Sequence, residues 1–199
     1  MERKELVFAT ANLNKVREVT ELIGDIFVIL SLKDIGCEED IPETQPTFEG
    51  NALQKARYVK SHFGLDCFSE DTGLEVEALN GDPGVFTARY GGPAKRADDN
   101  INLLLKNLEN QSNRKAQFRT AIALSLDGQE YIFEGIAHGT ILYSRKGDGG
   151  FGYDPVFLPD GYEESFAEMD SNTKNKISHR AKAVLKLKDF LLNYNQTNS

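Results

Sequence analysis

Hydrophobic and polar positions along the chain change period repeatedly, and the changes mark out the elements. The apolar run Leu6-Val7-Phe8-Ala9 reads as a short buried strand. The turn Thr10-Ala11-Asn12-Leu13-Asn14-Lys15 follows it and leads into a helix, with Val16, Val19, Leu22 and Ile23 at helical spacing. A strand is predicted near Phe27 to Leu30, then a polar, proline-containing loop from Cys37 to Pro46. A second helix runs from Phe48 to His62 and should stop at Gly64. Asn51, Lys55 and Tyr58 share one face of it.

Leu65 to Ser69 reads as another strand, which runs into Glu70-Asp71-Thr72-Gly73 before Leu74-Glu75-Val76-Glu77 resumes an alternating pattern. The acidic pair is thereby predicted at a strand end, followed by a turn. Asn80 to Gly84 is a dense turn signal. Pro93 and Ala94 open a helix with Ile101, Leu104, Leu105 and Leu108 on one face. Phe118 to Leu126 and Tyr131 to His138, joined at Asp127-Gly128, form a predicted β-hairpin. After a glycine-rich loop from Lys146 to Pro155, a last helix spans Ser178 to Asn193, with Val184, Leu187 and Leu191 inward. The tail Asn195 to Ser199 is expected to fray. Neither an internal repeat nor a dividing linker is evident, so residues 1–199 are expected to form a single domain. Interleaved strands and helices indicate an α/β fold with an added antiparallel hairpin.

Composition narrows the functional classes. At 199 residues and 40% hydrophobic content, the chain can bury a sizeable core without disulfides or structural metal. With 23 Lys and Arg against 31 Asp and Glu, the formal charge is −8, which argues against a protein that coats nucleic acid. A small polyanion held by a few local cations and a metal remains compatible. Of the two cysteines, Cys67 sits in an apolar-flanked run and reads as a core residue. A charged start, Met1 to Glu5, and the absence of long apolar runs point to a cytoplasmic protein that meets no membrane.

Five segments could carry chemistry. Thr10 to Lys15 couples a strand end to a helix N-terminus, a place that favours phosphate, although a capped turn with an exposed lysine fits the same residues. Glu70 and Asp71, with the loop acid Glu43 as a third oxygen donor, suit a hard cation and an activated water; a solvated acidic turn is the plainer reading. Lys55 and Asn51 could reach into a cleft from their shared helix face. The Gly149-Gly150-Phe151-Gly152-Tyr153-Asp154 loop offers a ring on which a flat base could stack, or two aromatics packed as core. Lys174 and Ser178-His179-Arg180 place cations, an imidazole and a hydroxyl at the entry to the last helix. The histidines lack zinc-ligand spacing, and no Gly-x-Ser-x-Gly nucleophile motif occurs.

Taken in order, these residues resemble the inosine triphosphate pyrophosphatase, or Ham1-like, family, from Val7 to about Leu191. The resemblance is carried by Ala9 to Lys15, Thr47-Phe48-Glu49-Gly50-Asn51-Ala52 with Lys55-Ala56-Arg57, and Ser69 to Leu74. Pro83-Gly84-Val85, Ala88-Arg89-Tyr90, Gly150 to Pro155, Phe166-Ala167-Glu168 and Ile177 to Arg180 extend it. It implies an elongated two-lobed α/β domain with a central mixed sheet flanked by helices and the active cleft between the lobes. It further implies a homodimer that, with Mg²⁺, hydrolyses ITP, dITP and XTP to the monophosphate and pyrophosphate. By the same resemblance Thr10, Ala11, Asn12, Leu13, Asn14 and Lys15 hold phosphate, and Lys55 neutralises the transferring group. Asp71 accepts the proton of the attacking water, with Glu43, Glu70 and Asp71 as candidate metal ligands. Thr72 contacts substrate, Phe151, Gly152, Tyr153 and Asp154 form the base pocket, and Lys174, His179 and Arg180 read the carbonyl edge of the base. Ala11, Asn14, Gly50 and Glu70 depart from the residues frequent in bacterial members, Glu70 standing where Asp is common. Rival readings are a Maf-like pyrophosphatase with other base preferences and a sensor that binds nucleotide without turnover; Asp71 speaks against the sensor.

Overall fold

A computed structural model describes residues 4–197, with side chains to residue 194. The predicted frayed tail therefore lies outside the described residues, apart from the helical backbone up to Thr197. In chain order the elements are β1 (Lys4–Phe8), α1 (Leu13–Ile23), β2 (Phe27–Ser31), α2 (Phe48–Phe63), β3 (Cys67–Val76), α3 (Ala97–Asn107), β4 (Lys115–Leu126), β5 (Gln129–Ile141), β6 (Phe157–Pro159), α4 (Ser171–Ile177) and α5 (His179–Thr197). Short 3₁₀ turns occupy Glu77–Leu79, Gly84–Arg89 and Asp154–Val156.

The six strands form one mixed sheet in the order β2-β1-β3-β4-β5-β6. β1 pairs in parallel with both β2 and β3, and β5 pairs antiparallel with β6. Parallel neighbours need crossover connections, and α1 and α2 supply them. Asn12 caps α1 by accepting from the N–H groups of Asn14 and Lys15, and Thr47 caps α2 by accepting from Gly50. α2 ends as predicted at Gly64, whose φ of 70° is the left-handed conformation that closes a helix.

The chain packs as two compact units. The first holds everything up to Asp71, Thr120–Gly135 and the chain from His179 onward. Strand alternation divides its interior into two cores. Phe8, Phe68, Ile122 and Leu124 meet Val19 and Ile23 of α1 and Val184 and Leu187 of α5. Val7, Cys67 and Ala123 point the other way, onto Ala52, Ala56 and Val59 of α2. The second unit, Thr72–Arg119 with Ile136–Ser178, is built around Leu74, Val76, Ile101, Leu104, Leu108, Phe118, Phe157 and Phe166.

The observed elements differ from the expected ones at several points. Glu70 to Gly73 is not a turn after a strand end but the interior of the ten-residue strand β3. Glu, Asp, Thr and Gly in succession carry a turn signal, and pairing to neighbouring strands overrides it. The helix expected from Pro93 begins at Ala97, and α4, only seven residues long, was absent from the periodicity reading because it spans too few turns to show a face. The hairpin is as expected but longer at both ends, closed by Asp127 and Gly128 with φ of 49° and 75°.

Candidate active site

The site begins where β1 stops. β1 registers with β3 only through Val7 opposite Cys67 and Phe8 opposite Phe68, and the Ala9 N–H then donates to the Phe68 carbonyl at 2.8 Å. From Ser69 onward β3 continues while its parallel neighbour leaves as the Thr10 to Lys15 loop. Glu70 and Asp71 therefore stand at the carboxyl end of β1, the position at which open α/β sheets gather ligands. Successive strand residues face opposite ways. Phe68 and Glu70 face α1 and α5, whereas Cys67, Ser69 and Asp71 face α2, where the Ser69 hydroxyl donates to the Ala52 carbonyl.

On the α1 and α5 side, Glu70 is the centre of a buried ion network. Arg180 of α5 donates through Nε to both Glu70 oxygens at 3.0 and 2.9 Å and through Nη2 to Oε1 at 2.8 Å. Lys15 Nζ lies 3.1 Å from the same Oε1, and Arg180 Nη1 donates to Glu18 Oε2. Burial pushes the Glu70 carboxyl up, but Arg180 and Lys15 outweigh it and hold the group well below the usual carboxylate range. For Lys15 burial is the largest influence and lowers the ammonium, against the attraction of Glu70. Two cations thus share two carboxylates, a geometry suited to the planar fork of arginine.

On the α2 side, Asn51 Nδ2 donates to Asp71 Oδ2 at 2.9 Å, and Asn51 Oδ1 accepts from the Gln45 N–H at 2.9 Å. One turn further along α2, Lys55 Nζ donates to Glu43 Oε1 and, at 2.7 Å, to the Glu70 carbonyl. Burial raises the Asp71 carboxyl above its ordinary value, while Lys55 and Asn51 pull it down and Glu43 pushes it up. A carboxylate raised in this way is a stronger base than an ordinary one.

The Thr10 to Lys15 loop is mostly exposed, and Thr10 Oγ1 accepts from the Asn12 N–H at 3.1 Å. Lys15 is the exception, turned inward to Glu70. No acidic residue occupies the first turn of α1, so its positive end is uncompensated by the helix's own side chains.

In the second unit the structure brings Phe151, Asp154 and Lys174 together. Asp154 Oδ2 accepts from the Phe151 N–H at 2.8 Å and from Lys174 Nζ at 2.8 Å, and Nζ lies 5.2 Å from the centre of the Phe151 ring. The Tyr153 ring is buried, and its hydroxyl donates to the Thr87 carbonyl at 2.9 Å, which makes Tyr153 a core anchor for the loop. Gly152 and Thr72 are half-buried in the same unit. Gly150 has φ of 69°, and a Cβ there would come within 2.2 Å of Asp154 Oδ2, so only glycine fits. His179 and Arg180, both buried, belong to the first unit, where Arg180 donates to Glu70 and Glu18.

Two contributors escaped the sequence reading. Glu18 carries one arm of Arg180; its signal was a carboxylate three residues after Lys15 and next to the core residue Val19. Gln45 contributes its backbone, which no side-chain pattern reveals. Among the described residues, no three His, Cys, Asp or Glu side chains converge as a ready-made metal cage. Of the three expected ligands, Glu43 and Asp71 are the pair whose chemistry and placement could hold Mg²⁺. Glu43 and Asp71 lie in the same electrostatic neighbourhood around Lys55, and Mg²⁺ commonly takes one or two carboxylates with phosphate oxygens and water. Glu70 faces the other way and is committed to Arg180 and Lys15.

Known proteins are similar to this chain over nearly its whole length. Similar sequences include proteins named dITP/XTP pyrophosphatase from Flavobacterium johnsoniae, 55% identical over 94% of this chain and 97% of that protein, and from Porphyromonas gingivalis, 53% identical over 95% and 98%. The fold superposes on the Ham1 protein of Staphylococcus aureus with a TM-score of 0.87 at 35% identity, covering 96% of this chain and all of that one. A HAM1 protein from Coxiella burnetii gives 0.88 at 36% identity, over 96% and 99%. Residues 6–190, which include the end of β1, Asp71 and the Phe151 loop, match the Ham1 family as one stretch, and the chain belongs to that family.

Proposed function

We propose that this protein is a house-cleaning nucleotide pyrophosphatase that hydrolyses ITP, dITP and XTP to the monophosphate and pyrophosphate. The observation that carries the reading is Asp71: a buried carboxylate with its proton affinity raised, held by Asn51 beside Lys55 and Glu43. The relatives' shared name, dITP/XTP pyrophosphatase, supports the substrate class.

In the proposed reaction a water attacks the α-phosphorus and gives its proton to Asp71. The bond from the α-phosphorus to the bridging oxygen breaks, and pyrophosphate departs with that oxygen. Lys55 exchanges its contact with Glu43 for the phosphate undergoing transfer, and Lys15 with the start of α1 receives the outer phosphates. Glu43 and Asp71 would hold a Mg²⁺ ion, which would supply further neutralisation of the anionic phosphate chain. Glu70 and Arg180 hold Lys15 and the β3 backbone in place.

Phe151 stacks against the base, and Lys174, oriented by Asp154, donates to its carbonyl edge. Hypoxanthine and xanthine present an oxygen at C6 where adenine presents an amino group, so a donor there rejects ATP. Guanine shares that oxygen and is excluded through its 2-amino group. We place the enzyme in the cytoplasm as a homodimer, with a nucleotide as its partner and no nucleic acid or membrane. The described residues include no helix long and apolar enough to cross a membrane, which is compatible with that placement.

The test is pyrophosphate release from ITP, dITP, XTP, GTP, ATP and dUTP, with Mg²⁺ and with chelator. Release confined to ITP, dITP and XTP and abolished by chelator is the expected result. Release from dUTP alone, or binding without release, overturns the reading.

A further inference from the structure

We infer that Asn51 is a positioning residue for the hydrolytic step, its side-chain amide tying the Asp71 carboxylate to the backbone of the loop that carries Glu43. The inference rests on the pyrophosphatase reading and adds a residue that acts without itself taking a proton or a metal.

Asn51 is the fourth residue of α2 and only 2% exposed. Both ends of its carboxamide are engaged. Oδ1 accepts from the Gln45 N–H and Nδ2 donates to Asp71 Oδ2, each at 2.9 Å. A backbone N–H can only donate, so Gln45 determines which end of the amide is oxygen, and the NH₂ group is forced to face Asp71. That group can only donate, so Asp71 Oδ2 must act as an acceptor.

The same amide spans two parts of the site. Gln45 is two residues from Glu43, so the bond that orients Asn51 also fixes the path of the Glu43 segment. Gln54, one turn along α2, holds that segment a second time: its Oε1 accepts from the Thr44 N–H at 3.0 Å and its Nε2 donates to Thr44 Oγ1 at 3.1 Å. α2 thus serves as the rigid reference from which both carboxylates of the site are placed. An error of about 1 Å in such placement costs roughly 10²-fold in rate. Because Asn51 acts through Asp71 and not on the nucleotide, its loss should fall on kcat.

The experiment measures pyrophosphate release from dITP, with Mg²⁺, by wild type, Asn51→Ala and Asn51→Asp, with melting temperatures alongside. Asn51→Asp keeps the size and the acceptor for Gln45 but cannot donate to an ionised Asp71. Expected is a drop in kcat of at least about tenfold in both variants with KM within about twofold of wild type, the pattern of an interaction used only in the transition state. If Asn51→Ala does not fold, the isosteric variant decides. A folded Asn51→Asp with wild-type kcat overturns the inference, and so does a loss expressed in KM. Wild type that releases no pyrophosphate overturns the functional reading itself, whereas active wild type with unaffected variants overturns the role of Asn51 alone.

Discussion

Glu70 and Asp71 are neighbours on β3, yet their carboxylates serve different networks. Glu70 is paired with Arg180 at 2.8 Å, and Asp71 accepts from Asn51 at 2.9 Å on the opposite face of the strand. Alternation of the strand separates the acid paired with Arg180 from the one proposed to activate water, and each should respond differently to losing its charge.

Asp71→Asn removes the proposed proton acceptor but preserves shape and the contact surface toward α2. The variant should melt close to wild type and lose about 10²- to 10⁴-fold in kcat for dITP, the usual contribution of a positioned base. Steady-state kinetics check this, and turnover near wild type would remove Asp71 from the mechanism.

Glu70→Gln should act on stability first. Arg180 is 2% exposed, and removing the charge of Glu70 deprives this buried guanidinium of a carboxylate partner, with Glu18 still paired to it. Breaking a buried pair from one side costs about 3–5 kcal/mol. For a chain of this size that lowers the melting temperature by roughly 10 °C. Calorimetry at pH 7 reads it, and a melting temperature within a degree of wild type would show that the network contributes nothing net.

Gly150→Ala should disturb nucleotide binding more than chemistry. The added Cβ would sit 2.2 Å from Asp154 Oδ2 on a residue with φ of 69°, so the Phe151 loop must shift. Such strain costs about 1–3 kcal/mol. KM for dITP should rise by about tenfold with a smaller change in kcat, the signature of weakened ground-state binding. An unchanged KM would separate this loop from the nucleotide.

Cys67 provides a pH dependence outside the site. Burial, with a smaller push from Asp66, raises its thiol from 9.0 to about 12. The raised value means that the folded state keeps a proton which the unfolded chain loses. That contribution is fully present below pH 9.0 and is lost as the pH rises toward about 12. Denaturant unfolding of wild type and Cys67→Ala should therefore give a stability difference that shrinks, and can reverse, across this window. A constant difference between pH 8 and pH 11 would contradict it.

Much of this was legible in the residues themselves. The apolar faces of α1, α3 and α5 were visible as Val19 and Ile23, Ile101 and Leu104, and Val184 and Leu187, because a helix face repeats within a few residues. The motifs around Asp71, Lys55 and Phe151 were likewise visible, and Phe151, Asp154 and Lys174 do meet. What stayed hidden depends on distant parts of the chain. Glu70 to Gly73 reads locally as a turn because the pairing that extends β3 comes from elsewhere. That Glu70 faces Arg180 while Asp71 faces Asn51 follows from strand parity, which a presumed turn conceals. The tie from Asn51 to Gln45 ends on a backbone atom, to which the sequence assigns no letter.

The buried Arg180 also bears on how the protein is made. Its partners Glu18 and Glu70 lie 162 and 110 residues earlier in the chain. A polypeptide still on the ribosome exposes the Thr10 to Lys15 loop, the α2 residues and Asp71 long before Arg180 is synthesised. Until then Glu70 and Glu18 lack their shared counter-ion, and closing the network must await the last helix. Nascent chains that stop short of α5 therefore carry Glu18 and Glu70 without Arg180, which ties closure of this buried network to the synthesis of α5.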